Sequence, residues 1–224
     1  MKKRIQRVTV QEGYDLWAET YDTTPNPVVA MDARQTLSML APQPGERILD
    51  AGCGTGRNLK AVVSTGSHAV GLDFSHGMLR VAKRRLPRVP LLRADLQRQF
   101  PFRAECFDAV LCALIGEHLD DLRTTFSETR KVLKRGGRFV FSVYHPELAA
   151  AGKEANFQRD GIEYRLGAVR YTVADYLNLL EEAGFRQLTY REYQGDEALA
   201  RQVPSAESLL NVPVLLAIEA RREN

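Results

Sequence analysis

A glycine-rich segment contains the residues whose types and spacing could bind a small ligand. Asp50 precedes Gly52, Cys53, Gly54 and Gly56, at the point where a predicted strand turns into a predicted helix. A backbone without side chains can approach a ligand closely at such a turn. Glycines also suit tight strand-to-helix turns for local reasons, so the spacing alone is a weak signal. The loop becomes a candidate site only in combination with other residues.

Acidic residues end three successive predicted strands. Asp50 ends the first, Asp73 the second and Asp95 the third. The carboxyl ends of parallel strands meet at one edge of a sheet, where α/β proteins bind their ligands. A carboxylate at the end of the second strand can accept hydrogen bonds from both hydroxyls of a ribose. The three acids therefore predict a nucleoside site along one edge of the sheet.

The ligand expected at this edge carries positive charge. A pyrophosphate favours bare amides at a helix amino terminus, and Asp50 beside the loop would repel it. The glycine pattern is also GxGxG rather than the GxGxxG of dinucleotide sites. An ammonium or sulfonium group suits Asp50 better, so a nicotinamide-dependent oxidoreductase is disfavoured.

Three residues beyond the fourth and fifth predicted strands could assist chemistry. Glu117 and His118 follow the fourth strand, and His145 follows the fifth. A positioned general base contributes roughly 10²- to 10⁴-fold to a reaction that needs proton transfer. The alternatives are that His118 bonds to backbone at a helix start, and that His145 is exposed beside Pro146. We treat His118 and His145 as candidates for catalysis and for contact with a substrate.

An alternation of strands and helices positions these residues. Strands joined by helices lie parallel, so the pattern predicts an α/β sheet covered on both faces. The polar, glycine-containing stretch 145–170 has the character of an insertion. After it, a helix at 172–183 precedes two further predicted strands, 185–193 and 212–220. In the alternating part, Gly136 and Gly137 are expected to end the last helix. The predicted strands there are 47–50, 69–72, 90–94, 107–112 and 138–144, and the helices are 57–64, 75–85 and 121–133.

Composition restricts the class of protein without choosing a partner. The 224 residues, 44% hydrophobic and 26% charged, predict one large globular domain over 1–224. A net charge of +3 is too small to indicate a nucleic-acid or membrane-surface protein. Cys53, Cys106 and Cys112 are odd in number and lack a CxxC spacing, which favours reduced thiols in a cytoplasm. No apolar stretch is long enough for a membrane span, and the basic amino terminus does not resemble a secretory signal.

Taken together, the motifs resemble those of class I S-adenosylmethionine-dependent methyltransferases. The similarity is to the small-molecule group that includes the ubiquinone and menaquinone biosynthesis enzymes. The similarity of the motifs is strong from Arg47 to Tyr144. Outside this range only the general order of helices and strands is similar. The matching segments are ILDAGCGTG (48–56), GLDFS (71–75), RADL (93–96), FDAV (107–110) and LKRGGR (133–138).

The resemblance implies a Rossmann-like three-layer sandwich whose seven-stranded, mostly parallel sheet has an antiparallel last strand. It implies S-adenosyl-L-methionine as cofactor and S-adenosyl-L-homocysteine as product. Asp73 would hold the ribose, Asp95 and the Leu96 amide would contact adenine, and Asp50 would lie near the amino group. Phe74 and Met78 have the alternative role of packing without specificity. The other implied cofactor-binding residues are Tyr21, Gly52, Cys53, Gly54, Gly56 and Ala113.

Related enzymes cover the cofactor with an amino-terminal segment, and residues 1–40 here have the pattern for one. Tyr14, Trp17, Ala18 and Tyr21 recur at helical spacing, which is typical either of ordinary packing or of a lid that excludes water. We expect Trp17 or Tyr21 to close the pocket, with Trp17 also touching substrate. The insertion 145–170 is expected either to cover the substrate or to be a solvated hairpin.

The implied reaction is in-line displacement of a methyl group onto an O, N or C atom of a small molecule. Glu117 and His118 resemble part of a Glu-x-x-Glu-His metal motif of some O-methyltransferases, but Leu114 occupies the first acidic position, so we predict no metal. One alternative is a catalytically silent subunit that binds the cofactor. An RNA or protein methyltransferase is disfavoured, because residues 112–115 lack the Pro-Pro-aromatic string of enzymes that methylate base amines. We expect a monomer or homodimer that binds no nucleic acid.

Overall fold

A computed structural model describes residues 4–223, so residues 1–3 of the expected lid segment and residue 224 of the expected domain lie outside the described residues. The helices are α1 (Val10–Trp17), α2 (Pro27–Leu40), α3 (Arg57–Ser64), α4 (His76–Arg85), α5 (Leu122–Val132), α6 (Pro146–Ala150), α7 (Val173–Glu182) and α8 (Glu197–Gln202). The strands are β1 (Arg4–Arg7), β2 (Arg47–Ala51), β3 (His68–Asp73), β4 (Leu91–Arg93), β5 (Phe107–Ala113), β6 (Leu133–Tyr144), β7 (Asn156–Arg159), β8 (Ile162–Arg165), β9 (Phe185–Gln194) and β10 (Pro213–Arg222).

The central sheet has seven strands in the order β4-β3-β2-β5-β6-β10-β9. The strands from β4 to β6 pair in parallel, whereas β10 is antiparallel to both β6 and β9. The strand order reverses between β2 and β5, which places a crevice at their carboxyl ends. The predicted seven-stranded α/β fold with an antiparallel last strand is confirmed.

Helices pack on both faces because alternate residues of each buried strand point to opposite sides. Leu49 and Val110 belong to a core shared with Phe126 of α5. Ile48 belongs to a second core shared with Leu59 of α3 and with the carboxyl end of α2. Two cores on opposite faces of one sheet make the three layers of the predicted sandwich.

The prediction for Gly136 and Gly137 is wrong. Helix α5 already ends at Val132, and both glycines lie inside β6. They form an irregularity in the pairing with β5, where Phe107 pairs with Leu133 but Ala109 pairs with Arg138. A Cβ on Gly137 would lie 2.8 Å from the Lys134 carbonyl oxygen, so the bend requires glycine.

The stretch 145–170 forms ordered secondary structure. Helix α6 is followed by the hairpin β7-β8, whose two-residue turn, Asp160 and Gly161, has positive φ at both positions. That conformation matches a type I′ turn, for which Asp-Gly is a strong sequence signal. Strand β8 also pairs in parallel with β1, so the hairpin and β1 form a separate three-stranded sheet in the order β1-β8-β7.

Candidate active site

A cleft at the carboxyl ends of β2, β3 and β5 encloses about 850 Å³, including its open mouth. Two predicted cofactor-binding residues, Asp50 and Gly56, do not line the cleft. His118, a candidate for catalysis, does line it. The predicted cofactor-binding residues that line it are Tyr21, Gly52, Cys53, Gly54, Asp73, Phe74, Met78, Asp95, Leu96 and Ala113.

The glycine loop forms one wall of this cleft. Gly52, Gly54 and Gly56 all have positive φ, a conformation that other residues adopt only with strain. The amides of Gly52 and Cys53 donate hydrogen bonds to the Leu72 carbonyl oxygen at 2.7 and 3.0 Å. The loop is therefore tied to β3, and its backbone faces the open space.

Asp73 joins the glycine loop to the start of α4. Its Oδ2 accepts a hydrogen bond from the Gly54 amide at 2.8 Å, and its Oδ1 accepts one from the Ser75 amide at 2.8 Å. Burial raises the pKa of Asp73 to about 6, while the amide hydrogen bonds act in the opposite direction. Each carboxylate oxygen has a further lone pair, so Asp73 can still accept hydrogen bonds from the cleft.

Asp50 lies behind the loop and is 1% exposed. Neither of its carboxylate oxygens has a hydrogen-bond partner among residues 4–223. Burial raises the pKa of Asp50 to about 7, opposed by the charge of Arg57. An unsatisfied buried carboxylate is unfavourable by itself, so this position suits a positively charged or hydrogen-bond-donating partner.

A buried ion pair beside the cleft was not expected from the sequence. Arg57, which lines the cleft, contacts Asp32 of α2 with 2.6 Å between Nη2 and Oδ2. Asp32 is fully buried, and its Oδ1 accepts hydrogen bonds from Thr36 and from Ser142 at the end of β6. The sequence contained one signal for this ion pair, because Asp32 is a lone acid within the otherwise uncharged start of α2. The pair connects α2 to the glycine loop.

Helix α1 is fixed over the cleft by hydrogen bonds from the opposite wall. Asp15 Oδ1 accepts hydrogen bonds from the Ser75 hydroxyl at 2.6 Å and from the Gly77 amide at 2.7 Å. Tyr14 Oη and His118 Nε2 are 2.8 Å apart. Burial lowers the pKa of His118 to about 4, so its imidazole is neutral near pH 7. The helix thus bridges the β3 and β5 sides of the cleft.

A second cavity adjoins the first and shares Tyr14, Tyr21 and Leu114 with it. It encloses about 1160 Å³, open space included, and its wall contains Trp17 and Glu117. The stretch 145–170 contributes residues 153–156 and Ala168 to the same wall. Trp17 packs against Tyr21 and Phe157, with ring centroids 4.9 and 5.0 Å away.

His145 does not line either cavity. It is the N-cap of α6, where its Nδ1 accepts a hydrogen bond from the Glu147 amide at 3.3 Å. Its Nε2 lies 3.1 Å from Glu192 of β9, and the residue is 1% exposed. His145 is therefore separated from the cleft that His118 lines, although the sequence predicts both as candidates for catalysis and for contact with a substrate.

Between residues 4 and 223, no cluster of three or more His, Cys, Asp or Glu side chains has the arrangement of a metal site. In the same part of the chain, none of the helices combines the length and apolar character needed to span a bilayer.

Comparison with known proteins places this architecture in a family. Residues 49–141 match the methyltransferase domain family. A demethylmenaquinone methyltransferase of Beutenbergia cavernae is 30% identical over 206 residues, which is 81% of this chain and 85% of the relative. The chain belongs to the class I S-adenosylmethionine-dependent methyltransferases. The family predicted from the sequence is confirmed.

Other matches to this methyltransferase-family chain differ in their extent. A demethylmenaquinone methyltransferase of Clavibacter sepedonicus is 38% identical over 135 residues, covering 57% of this chain and 54% of the relative. In three such relatives the match spans only 54–61% of their length. The structure of an S-adenosylmethionine-dependent methyltransferase from Mesorhizobium loti superimposes with a TM-score of 0.70 and 26% identity, covering 83% of this chain and 95% of that one.

Proposed function

We propose that this protein transfers a methyl group from S-adenosylmethionine to a small-molecule nucleophile. Asp50 carries the proposal, because its buried carboxylate has no partner within residues 4–223 and adjoins a glycine loop with a bare backbone. In this proposal an ammonium group of the ligand lies near Asp50, which it reaches directly or through water, and ribose hydroxyls lie near Asp73. The residues present therefore fit this cofactor.

For the remaining predicted residues we propose the roles that the family resemblance implies. Asp95 and Leu96 flank the expected adenine position, with Phe74 and Met78 packing against it, and Ala113 lies at the methionine end. When bound, S-adenosylmethionine supplies an electrophilic methyl group on a sulfonium. The protein has mainly to exclude water and align the acceptor, since proximity and orientation dominate such a step.

The second cavity is the proposed acceptor site. Residues of α1 and of the stretch 145–170 line it, which supports the lid and the substrate cover within a single domain over 1–224. His118 touches the first cavity from the acceptor side, and the catalytic role of His145 stays a prediction that a His145→Asn variant tests. We propose no metal, because Leu114 replaces the first acid of the metal motif. We also propose a cytoplasmic location, which the three free cysteines support. The proposed oligomeric state is a monomer or a homodimer.

Calorimetry with S-adenosylmethionine and with NADH tests the cofactor. We expect binding of the first and no heat with the second, and weaker cofactor binding in Tyr21→Ala. A screen of phenols, quinols, amines and carboxylic acids with labelled cofactor then tests turnover. Quinols belong in the screen because relatives are named demethylmenaquinone methyltransferases. Cofactor binding without transfer to any acceptor would favour the silent-subunit alternative.

A further inference from the structure

Glu117 is a buried acid that lines the second cavity and is followed in the chain by His118, which lines the first. It lies in the short 3-10 helix Gly116–His118 that follows β5. A Cβ on Gly116 would lie 2.5 Å from side-chain atoms of both Phe141 and Val143, so this turn packs directly against β6. The Glu117 carbonyl oxygen also accepts a hydrogen bond from the Val169 amide at 2.8 Å. Both contacts fix the backbone from which the side chain projects.

The charge of this carboxylate is not balanced by the protein. Glu117 is 9% exposed, lines the second cavity, and has no hydrogen-bond partner for Oε2 within residues 4–223. Arg57, which lines the first cavity, is already paired with Asp32, and Lys153, an exposed residue on the wall of the second cavity, forms no ion pair with Glu117. Burial, reinforced by the charge of Asp32, raises the pKa of Glu117 to about 7. Within residues 4–223, Oε2 therefore lacks a hydrogen-bond donor, and no ion pair joins the carboxylate to a Lys, Arg or His side chain.

Aromatic rings form much of the remaining wall. Tyr14, Trp17, Tyr21 and Tyr144 all line the second cavity together with Glu117. The faces of such rings attract cations, by about 0.5–2 kcal/mol for each contact. A buried carboxylate in a cavity lined by aromatic side chains suits an organic ammonium group.

We propose that the methyl acceptor is an amine, which enters the second cavity as an ammonium ion paired with Glu117. This inference rests on the proposed function. In the transfer step the nitrogen gives one proton to the Glu117 carboxylate, and its freed lone pair forms the N–C bond to the methyl carbon. The C–S bond breaks with its electron pair on sulfur, giving the methylated amine and S-adenosylhomocysteine. A phenol or quinol would instead leave the cavity without a counter-charge for Glu117.

Trp17 allows binding to be measured without turnover. It is the single tryptophan of the chain and lines the second cavity, so its fluorescence reports occupancy there. The probes are 2-phenylethylamine, its uncharged analogue 2-phenylethanol and 4-ethylphenol, each titrated at saturating S-adenosylhomocysteine. We expect the wild-type protein to bind the amine at least tenfold more tightly than the alcohol or the phenol.

The variants assign that preference to Glu117. Glu117→Gln should abolish it and Glu117→Asp should keep part of it. The matched control is Glu163→Gln, which changes another largely buried glutamate that is paired with Arg165 and lies outside the cavity wall. This control should keep the full preference, and all variants should bind S-adenosylhomocysteine within twofold of wild type.

Three results would overturn the inference: no amine preference in the wild-type protein, a preference for the phenol, or an unchanged preference in Glu117→Gln. If Glu117→Gln fails to fold, the wild-type preference and Glu117→Asp decide. Absent binding of S-adenosylhomocysteine by wild type would instead refute the proposed function, so the two failures are distinguishable.

Discussion

Replacing Asp50 by Asn should stabilise the protein without ligand while weakening cofactor binding. Asn is nearly isosteric with Asp and carries no charge, so the change mainly removes the charge of a buried carboxylate. In the folded protein the pKa of Asp50 is raised from its ordinary value of 3.8 to about 7. Between these two pH values Asp50 is ionised in the unfolded chain but mostly protonated in the folded protein. The ionised carboxylate therefore destabilises the folded state relative to the unfolded chain.

The sign and size of the effect follow from that pKa. An acid whose pKa is raised by folding destabilises the protein progressively as pH rises from 3.8 to about 7, and by a constant amount above this range. One pKa unit corresponds to about 1.4 kcal/mol, so the penalty is about 2 kcal/mol at pH 5 and about 4 kcal/mol at pH 8. Asp73, a second buried acid, is present in both proteins, and its charge is one cause of the raised pKa of Asp50, so removing the charge of Asp50 also favours the ionised form of Asp73.

Urea unfolding at pH 5 and pH 8 measures the difference between Asp50→Asn and wild type. We expect the stability advantage of the variant to grow by about 2 kcal/mol between these pH values. Asp120→Asn, at an exposed acid, is the matched control and should show no such growth. Calorimetry should show at least tenfold weaker binding of S-adenosylmethionine by Asp50→Asn, because a charged hydrogen bond is worth about 1.5–3 kcal/mol. A variant that is less stable than wild type by the same amount at both pH values would refute an unpartnered Asp50.

Three further predictions test the contacts around the cleft. Gly77→Ala places a Cβ 2.9 Å from the backbone of Asp15. The variant should therefore destabilise the protein by about 1–3 kcal/mol and weaken cofactor binding. An unchanged melting temperature and an unchanged affinity would show that α1 does not pack against Gly77. Asp32→Ala leaves Arg57 and Ser142 without their partner and should reduce the free energy of unfolding by about 3 kcal/mol, whereas a loss below about 1 kcal/mol would contradict the buried pair. The ring NMR signals of His118 should not titrate between pH 8 and pH 5, because burial lowers its pKa to about 4, and a midpoint above pH 5 would disprove the buried, neutral imidazole.

Much of the central sheet could be predicted because its signals are local. Helix α3 begins and ends at the predicted residues, and Ser75 and Thr172 cap α4 and α7 as expected. The hairpin β7-β8, one of the two alternatives expected for the stretch 145–170, also had a local signal in Asp160-Gly161. The prediction for Gly136 and Gly137 was wrong because glycine marks both helix ends and strand irregularities, and the pairing of β6 with β5 decides between the two.

The sequence by itself determined the family, the order of elements and the ligand-binding loop, because hydrophobic periodicity, caps and short motifs act over a few neighbouring residues. Only the tertiary structure decided which distant side chains meet. Asp32 reaches Arg57, Tyr14 reaches His118, and His145 faces Glu192 away from both cavities. Whether a buried acid such as Glu117 has a partner depends on every element packed around it. That property is long-range, because it is set by contacts between segments far apart in the chain.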